Sequence, residues 1–428
     1  MFKIDYKNLI IKNKNIITKK DSISVNITSD WAPILEEVSD LIIKKKDKYY
    51  GNLFEYFKKG DLNITNLETV IDNKSRSFNK NALRFINRPQ ILNSLNYINI
   101  NLACLANNHI MDNGSLGLKN TIKYLEKNKI NHVGANFGHK QIYKPFQFKK
   151  NNQKIAVINT SEGEEANEKY NNSVGSSDIQ SYKVVDQIRN FKKKGYLTIL
   201  IAHAGVEYIP SPPPYIKSIY RSFAEEGVDL IVGHHPHVSQ GFEVYKNVPI
   251  FYSLGNFTMW KKNLKKNCYN SFFLNMNIQD NKLSKINLVP FEINKSGLKL
   301  ASKNEFSKKI IELNSFLPKS DKIWKAYLNR VNSNGFFFSK QLTFFYNFEE
   351  FKYNLINKYT NLSAKYSSLD YLKNEYHNNS NYNYILDKWQ IKNNKNFISL
   401  IKNVFSPIYK VLFMIKKILK ILKMNTFR

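Results

Sequence analysis

A chain of 428 residues with 42% hydrophobic side chains can bury a large core, which excludes a disordered or fibrous protein. Its formal charge of +31 comes from 65 Lys and Arg against 34 Asp and Glu, spread along the chain with a Lys, Asn and Ile bias; this is the pattern of a solvated surface rather than of one nucleic-acid patch. The two cysteines, Cys104 in an apolar run and Cys268 in a polar stretch, exclude a disulfide framework and a thiolate metal site.

Residues 1–20 hold only short apolar pieces, broken by Lys12 and Lys14. Neither a secretory apolar segment nor a spanning helix is expected there, residues 1–22 read as an N-terminal extension, and the default location is the cytoplasm. Residues 22–28 alternate and are β-branched, then run into Ser29-Asp30-Trp31-Ala32-Pro33, a strand followed by a turn with one carboxylate. A lone Asp after a strand is most often a turn residue, so Asp30 becomes a ligand candidate only through the other polar residues that end strands further along the chain. In KGDLNITNLE, residues 59–68, Asp61 and Glu68 stand at opposite ends of a second strand-like run. At ~3.3 Å per residue they are roughly 20 Å apart and cannot serve one small site. Glu68 is at the C-terminal edge, where open α/β sheets keep their chemistry, and Asp61 reads as a turn residue leading into the strand.

Residues 89–97 have helical spacing, and 98–106 run apolar into Asn107-Asn108-His109, with Asp112 and a helix from near Gly117 behind them. The amide oxygen of Asn108 suits a hard or borderline cation, and His109 suits proton donation. Residues 155–159 form another short strand before an acidic loop whose Glu162, Glu164 and Glu165 read as solvated. A helix over 184–194 leads to a buried-strand run, 196–202, that ends in His203. Residues 210–214 make a rigid Pro-rich turn and 215–227 a Gly-terminated helix.

The next stretch, VDLIVGHHPHVSQGFEVYKNVPIFYSLGNF at 228–257, places three of the chain's eight histidines within four positions. His234, His235 and His237 come directly after the apolar run 230–232. A strand at 249–253 leads to Gly255 and Asn256, the glycine permitting close backbone approach. Residues 271–278 and 285–291 alternate as a closing pair of strands. Beyond 299 glycine nearly disappears and apolar residues fall at helical spacing, so 299–403 reads as a helical Lys- and Asn-rich appendage with loops near 332–335 and 378–383. Within 404–428, an amphipathic helix over 405–423 gathers Lys410, Lys416, Lys417, Lys420 and Lys423 on one face. It fits two uses equally: lying on an anionic membrane, at about 1 kcal/mol per lysine, or docking its apolar face on the body or a second subunit.

Asp30, Glu68, Asn108, His203, His235 and His237 all come after strand-like runs and can gather at one sheet edge, with Asn107, Asp112, His234, Gly255 and Asn256 lining it. Carboxylate, amide and imidazole donors suit a divalent transition metal, Mn, Fe or Zn, as one or two ions. Two ions about 3.5–4 Å apart can activate water and clamp a phosphoryl group, with His109 as leaving-group acid.

The strings SDWAP, NLE, RFINRP, LANNHIMDNG, HAGVEY, GHHPHVSQGFEVY and IFYSLGNF occur in this order over about residues 23–291. Together they resemble the capsule synthesis CapA family, also called poly-γ-glutamate biosynthesis proteins. The resemblance implies a calcineurin-like metallophosphoesterase fold, an α/β layered sandwich, over 23–298. It implies Asp30 on a first metal, Glu68 bridging, and Asn108, His203 and His235 on a second, with His237 returning to the first and His109 as proton donor. His234 matches a position of less consequence. Ala32 stands where the wider superfamily carries a histidine, and Glu68 where it carries a bridging Asp, so the first metal is expected to be short of ligands. The implied role is metal-dependent hydrolysis of a phosphoester or amide in making or anchoring an extracellular polyanionic polymer. That polymer or its precursor, other capsule-synthesis proteins and, through 405–423, an anionic membrane surface would be the partners. The alternatives are a non-catalytic part of a polymer synthesis or export complex and a nucleic-acid phosphodiesterase; the motif set argues against nucleic acid.

Overall fold

The computed structural model describes residues 1–17, 21–73, 84–163, 166–262 and 264–333. Two sheets form its centre. In the first, Ile23–Trp31, Leu62–Leu67, Leu102–Cys104 and Asn131–Val133 run parallel in that order, and Asn270–Gln279 and Lys282–Asn294 extend it antiparallel beyond Ile23–Trp31. The second has the order Phe146–Lys150, Gln153–Ser161, Leu197–His203, Leu230–His234, Val248–Phe251, Phe242–Tyr245, parallel in the middle and antiparallel at both edges.

The side-chain period of two explains how these sheets stack. Leu197, Ile199 and Ile201 of one strand share a buried cluster with Ile27, Leu62 and Ile64 of the other sheet. On the outer side, Ala156 packs with Phe191 of the Tyr182–Lys193 helix and with Tyr196, while Tyr220 of the Pro214–Glu225 helix stacks on Tyr252 at 5.7 Å. The outer face of the first sheet gathers Ala103, Phe273 and Phe291 with helical Tyr49, Phe57, Leu95 and Leu118. The layers therefore run helix, sheet, sheet, helix: the α/β layered sandwich expected from the sequence. Each fully buried Ile or Leu contributes ~1.5–3 kcal/mol, and a one-residue slip would turn a whole inner set outward. Register at the strand ends is fixed accordingly, placing His203 beside His234 and Asp30 beside Asn66.

The domain limits differ from the expectation at both ends. Residues 1–22 are not a separate extension: Phe2–Asp5 and Ile10–Asn13 join the first sheet next to Lys282–Asn294, and Leu9 and Ile11 enter the core. Past 299, the Lys303–Phe316 helix buries Phe306, Ile310 and Leu313 in that same core, and Asn314 Oδ1 accepts the Phe242 N–H at 2.8 Å. From the Ser320–Ser333 helix, Trp324 Nε1 donates to the Ser211 carbonyl at 3.0 Å. Three short helices, Glu36–Lys44, Lys46–Tyr50 and Phe54–Lys58, fill the unassigned connection between the first two parallel strands. The expected appendage beyond 333, including the 378–383 loop and the 405–423 helix, lies outside the described residues. Among the described residues, no helix is long and apolar enough to cross a membrane.

Candidate metal centre

Parallel strands deliver the candidate ligands from their C-terminal ends. Asp30 closes Ile23–Trp31, Glu68 comes directly after Leu62–Leu67, Asn108 lies beyond Leu102–Cys104, His203 ends Leu197–His203, and His235 and His237 come after Leu230–His234. Gly255 backs Asp30 as expected. Its carbonyl accepts the Asp30 N–H at 3.1 Å with φ at +87°, and a Cβ there would meet Ser271 Oγ at 2.5 Å. In the histidine turn His235 and His237 both take left-handed conformations, φ +95° and +56°. Such backbone costs about 1–3 kcal/mol per residue and persists only where the surroundings over-determine it.

The structure brings these side chains together in the buried interior. Glu68, His203 and His235 each offer one donor atom within 4.8 Å of the others, and Asp30, Glu68 and His237 do the same. Glu68 is common to both groups. Asn108 Oδ1 lies 3.0 Å from His203 Nε2, beside the group of Glu68, His203 and His235. Asp30 accepts hydrogen bonds from the protein, from Asn66 Nδ2 at 2.8 Å on Oδ1 and from the His235 N–H at 3.2 Å on Oδ2, and His234 Nδ1 lies 3.0 Å from Oδ1. Glu68 is the opposite case, since both its carboxylate oxygens are buried without a hydrogen-bond partner. Leaving a buried carboxylate bare costs several kcal/mol unless a cation meets it.

Charge conforms to this geometry. Burial would raise the Asp30 carboxyl, but the charges and hydrogen bonds of His234, His237 and His203 outweigh it and hold it well below the usual range. Burial pushes Glu68 well above the usual range, with His237 opposing and Asp30 and Glu207 adding to the rise. Burial lowers His203, helped by His235, and brings His235 down to about 4. His237 goes the other way, to about 10, because Glu68, Asp30 and Glu207 outweigh its burial. Mixed oxygen and imidazole donors around an unpartnered carboxylate fit a divalent transition ion, which would favour the deprotonated form of each.

The lining residues have definite tasks. Asn107 Nδ2 donates to the Leu67 carbonyl at 2.9 Å and its Oδ1 accepts the His109 N–H at 3.1 Å, tying that loop to the strand end beside Glu68. His109 Nδ1 lies 2.8 Å from Asp112 Oδ2 and its ring stacks on Phe85 at 3.8 Å. Asn256 Oδ1 lies 2.9 Å from His237 Nδ1, which turns Nε2 toward Glu68 at 3.5 Å. His234, fully buried against Asp30, is its nearest imidazole. Ala32 packs with Phe85 and Met259, so no donor occupies that position. Asp61 is at the far end of its strand, accepting the Ser24 N–H at 2.8 Å.

Sequence reasoning passed over Asn66 and Glu207 and misread Glu162. Asn66 bridges Asp30 and His203, its Nδ2 being 2.8 Å from Oδ1 and 3.1 Å from Nδ1. Glu207 joins His235 and His237 in a third group of donors; its place in HAGVEY, four residues after His203, was the available signal. Glu162, expected to be solvated, instead accepts the Gly205 N–H at 2.8 Å and the Tyr215 hydroxyl at 3.2 Å. The reason is that His203 and Glu162 end neighbouring strands, with the Glu162 N–H donating to the His203 carbonyl. Glu164 and Glu165 lie outside the described residues.

The family model of the bacterial capsule synthesis protein PGA_cap matches residues 15–260. The chain belongs to this family. It is 27% identical over 258 residues to the capsule biosynthesis protein CapA of Bacillus anthracis, across 58% of this chain and 62% of that protein. It is likewise 27% identical over 242 residues to the PGA biosynthesis protein CapA of Bacillus subtilis (strain 168), across 55% and 61%. A probable polyglutamine synthesis accessory protein of Mycobacterium tuberculosis shares 22% identity over 209 residues, 46% of this chain and 55% of that one. The chain thus spans about three fifths of the length of the two CapA proteins. Distant likenesses among solved structures include the NAD nucleotidase of Haemophilus influenzae, at TM-score 0.36, 15% identity and coverage of 73% and 60%. The 5'-nucleotidase of Candida albicans SC5314 has TM-score 0.36, 11% identity and coverage of 69% and 58%. At these scores neither bears on activity.

Proposed function

We propose that this protein is a divalent-metal-dependent hydrolase of the phosphoesterase type, acting in the synthesis of a capsule or poly-γ-glutamate-like extracellular polymer. The observation that carries this reading is Glu68, a buried carboxylate with neither oxygen partnered, at the junction of Asp30 and His237 on one side and His203 and His235 on the other. Asp30, Glu68 and His237 would hold one ion and Glu68, Asn108, His203 and His235 a second. Bound there, such ions supply Lewis-acid polarisation of a phosphoryl oxygen and a water of lowered pKa.

The remaining chemistry is the chain's own. Asp112 pins His109 at Nδ1 and Phe85 holds the ring plane, which leaves Nε2 to give a proton to a departing oxygen. Family membership directs the choice of substrate and of partners to the capsule polymer and its synthesis proteins.

The test uses the whole chain loaded with Mn or Zn and offered a generic phosphodiester, a phosphomonoester and poly-γ-glutamate. Turnover of at least one is expected, abolished in His203→Ala and His235→Ala. His109→Ala should keep its ions and lose ~10²–10⁴-fold in rate, the span of general acid catalysis. Full ion binding with no turnover of any of the three would replace the hydrolase by a structural metal centre.

A further inference from the structure

We propose that Glu207 is a third carboxylate of this metal centre, a ligand to the ion held by His237. The inference rests on the metal-binding reading above and adds a residue to it. His237 Nε2 stands between two carboxylates, 3.5 Å from Glu68 Oε1 and 3.9 Å from Glu207 Oε1. Donor atoms bound at ~2.1 Å to one ion lie roughly 3–4 Å from one another, so both separations suit ligands that share a centre. Glu207, His235 and His237 also each present a donor atom within 4.8 Å of the others.

The loop that carries Glu207 is laced to the histidine turn. The Ala204 N–H donates to the His234 carbonyl at 3.1 Å, and the Tyr208 N–H to the Pro236 carbonyl at 2.8 Å. Glu162 takes the Gly205 N–H from the other side at 2.8 Å. Tyr208 holds a left-handed φ of +65°, with its ring 6.0 Å from that of His237. Strain of this kind survives when a loop is fixed by its neighbours, and here it fixes the direction of the preceding Glu207. Glu207 keeps 27% of its side chain exposed while Glu68 is fully buried, so Glu207 closes the ion's shell from the solvent side. Position 32, packed among apolar side chains, supplies nothing there. A bare carboxylate at the mouth would also repel a polyanionic substrate, whereas one bound to a cation does not.

Ion counting on the whole chain tests this. Wild type and Glu207→Gln are stripped with chelator, titrated calorimetrically with Mn and with Zn, and assayed by elemental analysis. Glu207→Gln should melt like wild type in chelator, yet lose one ion of the wild-type complement or bind it roughly tenfold or more weakly. Glu207→Asp, which keeps the charge on a shorter arm, should recover part of the affinity. An unchanged ion count and affinity in Glu207→Gln overturns the assignment and leaves the rest of the centre standing. Wild-type protein that binds no ion overturns the metal reading, and this assignment with it.

Discussion

Asp30 and Glu68 end adjacent strands of one sheet, and the two sides of the site that they define are built on opposite plans. Asp30 accepts hydrogen bonds from Asn66 and the His235 backbone, with His234 Nδ1 close by at 3.0 Å. Around Glu68 there are imidazoles at 3.4 and 3.5 Å and no hydrogen bond. Hydrogen bonds fix the position of the first carboxylate, while the second, equally buried, has only the charges around it. The comparison separates Asp30, which the protein's own hydrogen bonds already hold, from Glu68, which has none.

The sharpest way to break that comparison is a pair of near-isosteric substitutions. In chelator, Asp30→Asn strips the charge from its ring of donors and should destabilise the fold by about 3 kcal/mol or more. Glu68→Gln should be far better tolerated under the same conditions, since burial already disfavours the charged form of Glu68 and neither oxygen gives up a hydrogen bond, while ion binding disappears. Chemical denaturation with and without Mn separates the two outcomes, and equal destabilisation by both would erase the distinction.

A pH series sharpens it further. Folding raises both Glu68 and His237, the latter from 6.5 to about 10. A raised group stabilises the fold fully below its unfolded pKa and loses that contribution as pH climbs through the folded one. Chelated protein should therefore lose stability between pH 6.5 and about 10 through His237. Ion binding needs both groups deprotonated, so the rise in melting temperature on adding Mn should grow over the same range. An increment independent of pH would detach these two groups from the ion. The smallest effect is expected at the periphery: Glu162→Gln weakens two hydrogen bonds to a charged acceptor, costing about 1 kcal/mol, and should keep the ion count. Loss of an ion in that variant would make the 204–208 loop part of the binding plan rather than its support.

Much of this was legible in the chain itself. The apolar runs ending in Asp30, Glu68, Asn108, His203 and His235 marked strand ends, because alternation and continuous β-branched burial are local properties. The helices read near 117–125, 184–194 and 215–227 are present as Gly114–Lys127, Tyr182–Lys193 and Pro214–Glu225, offset by a few residues at their ends. What pairing alone decides was not legible. Phe2–Asp5, Ile10–Asn13 and the Lys303–Phe316 helix are too short or too polar to declare their sheet and core partners. Glu162 looked solvated until the neighbouring strand placed Gly205 within its reach.

The sequence by itself determined which side chains stand at strand ends, because a period of two and the buried run before each are written in order along the chain. Only the tertiary structure decided which of them lack a partner. Asp30 and Glu68 are both acids after a strand, and their difference lies in Asn66, His234 and His235 being drawn to one and not the other. It placed Glu207 as well, beside His235 and His237, through two loops joined by backbone hydrogen bonds across neighbouring strands. Such satisfaction is a property of three-dimensional neighbours, and no local pattern encodes it.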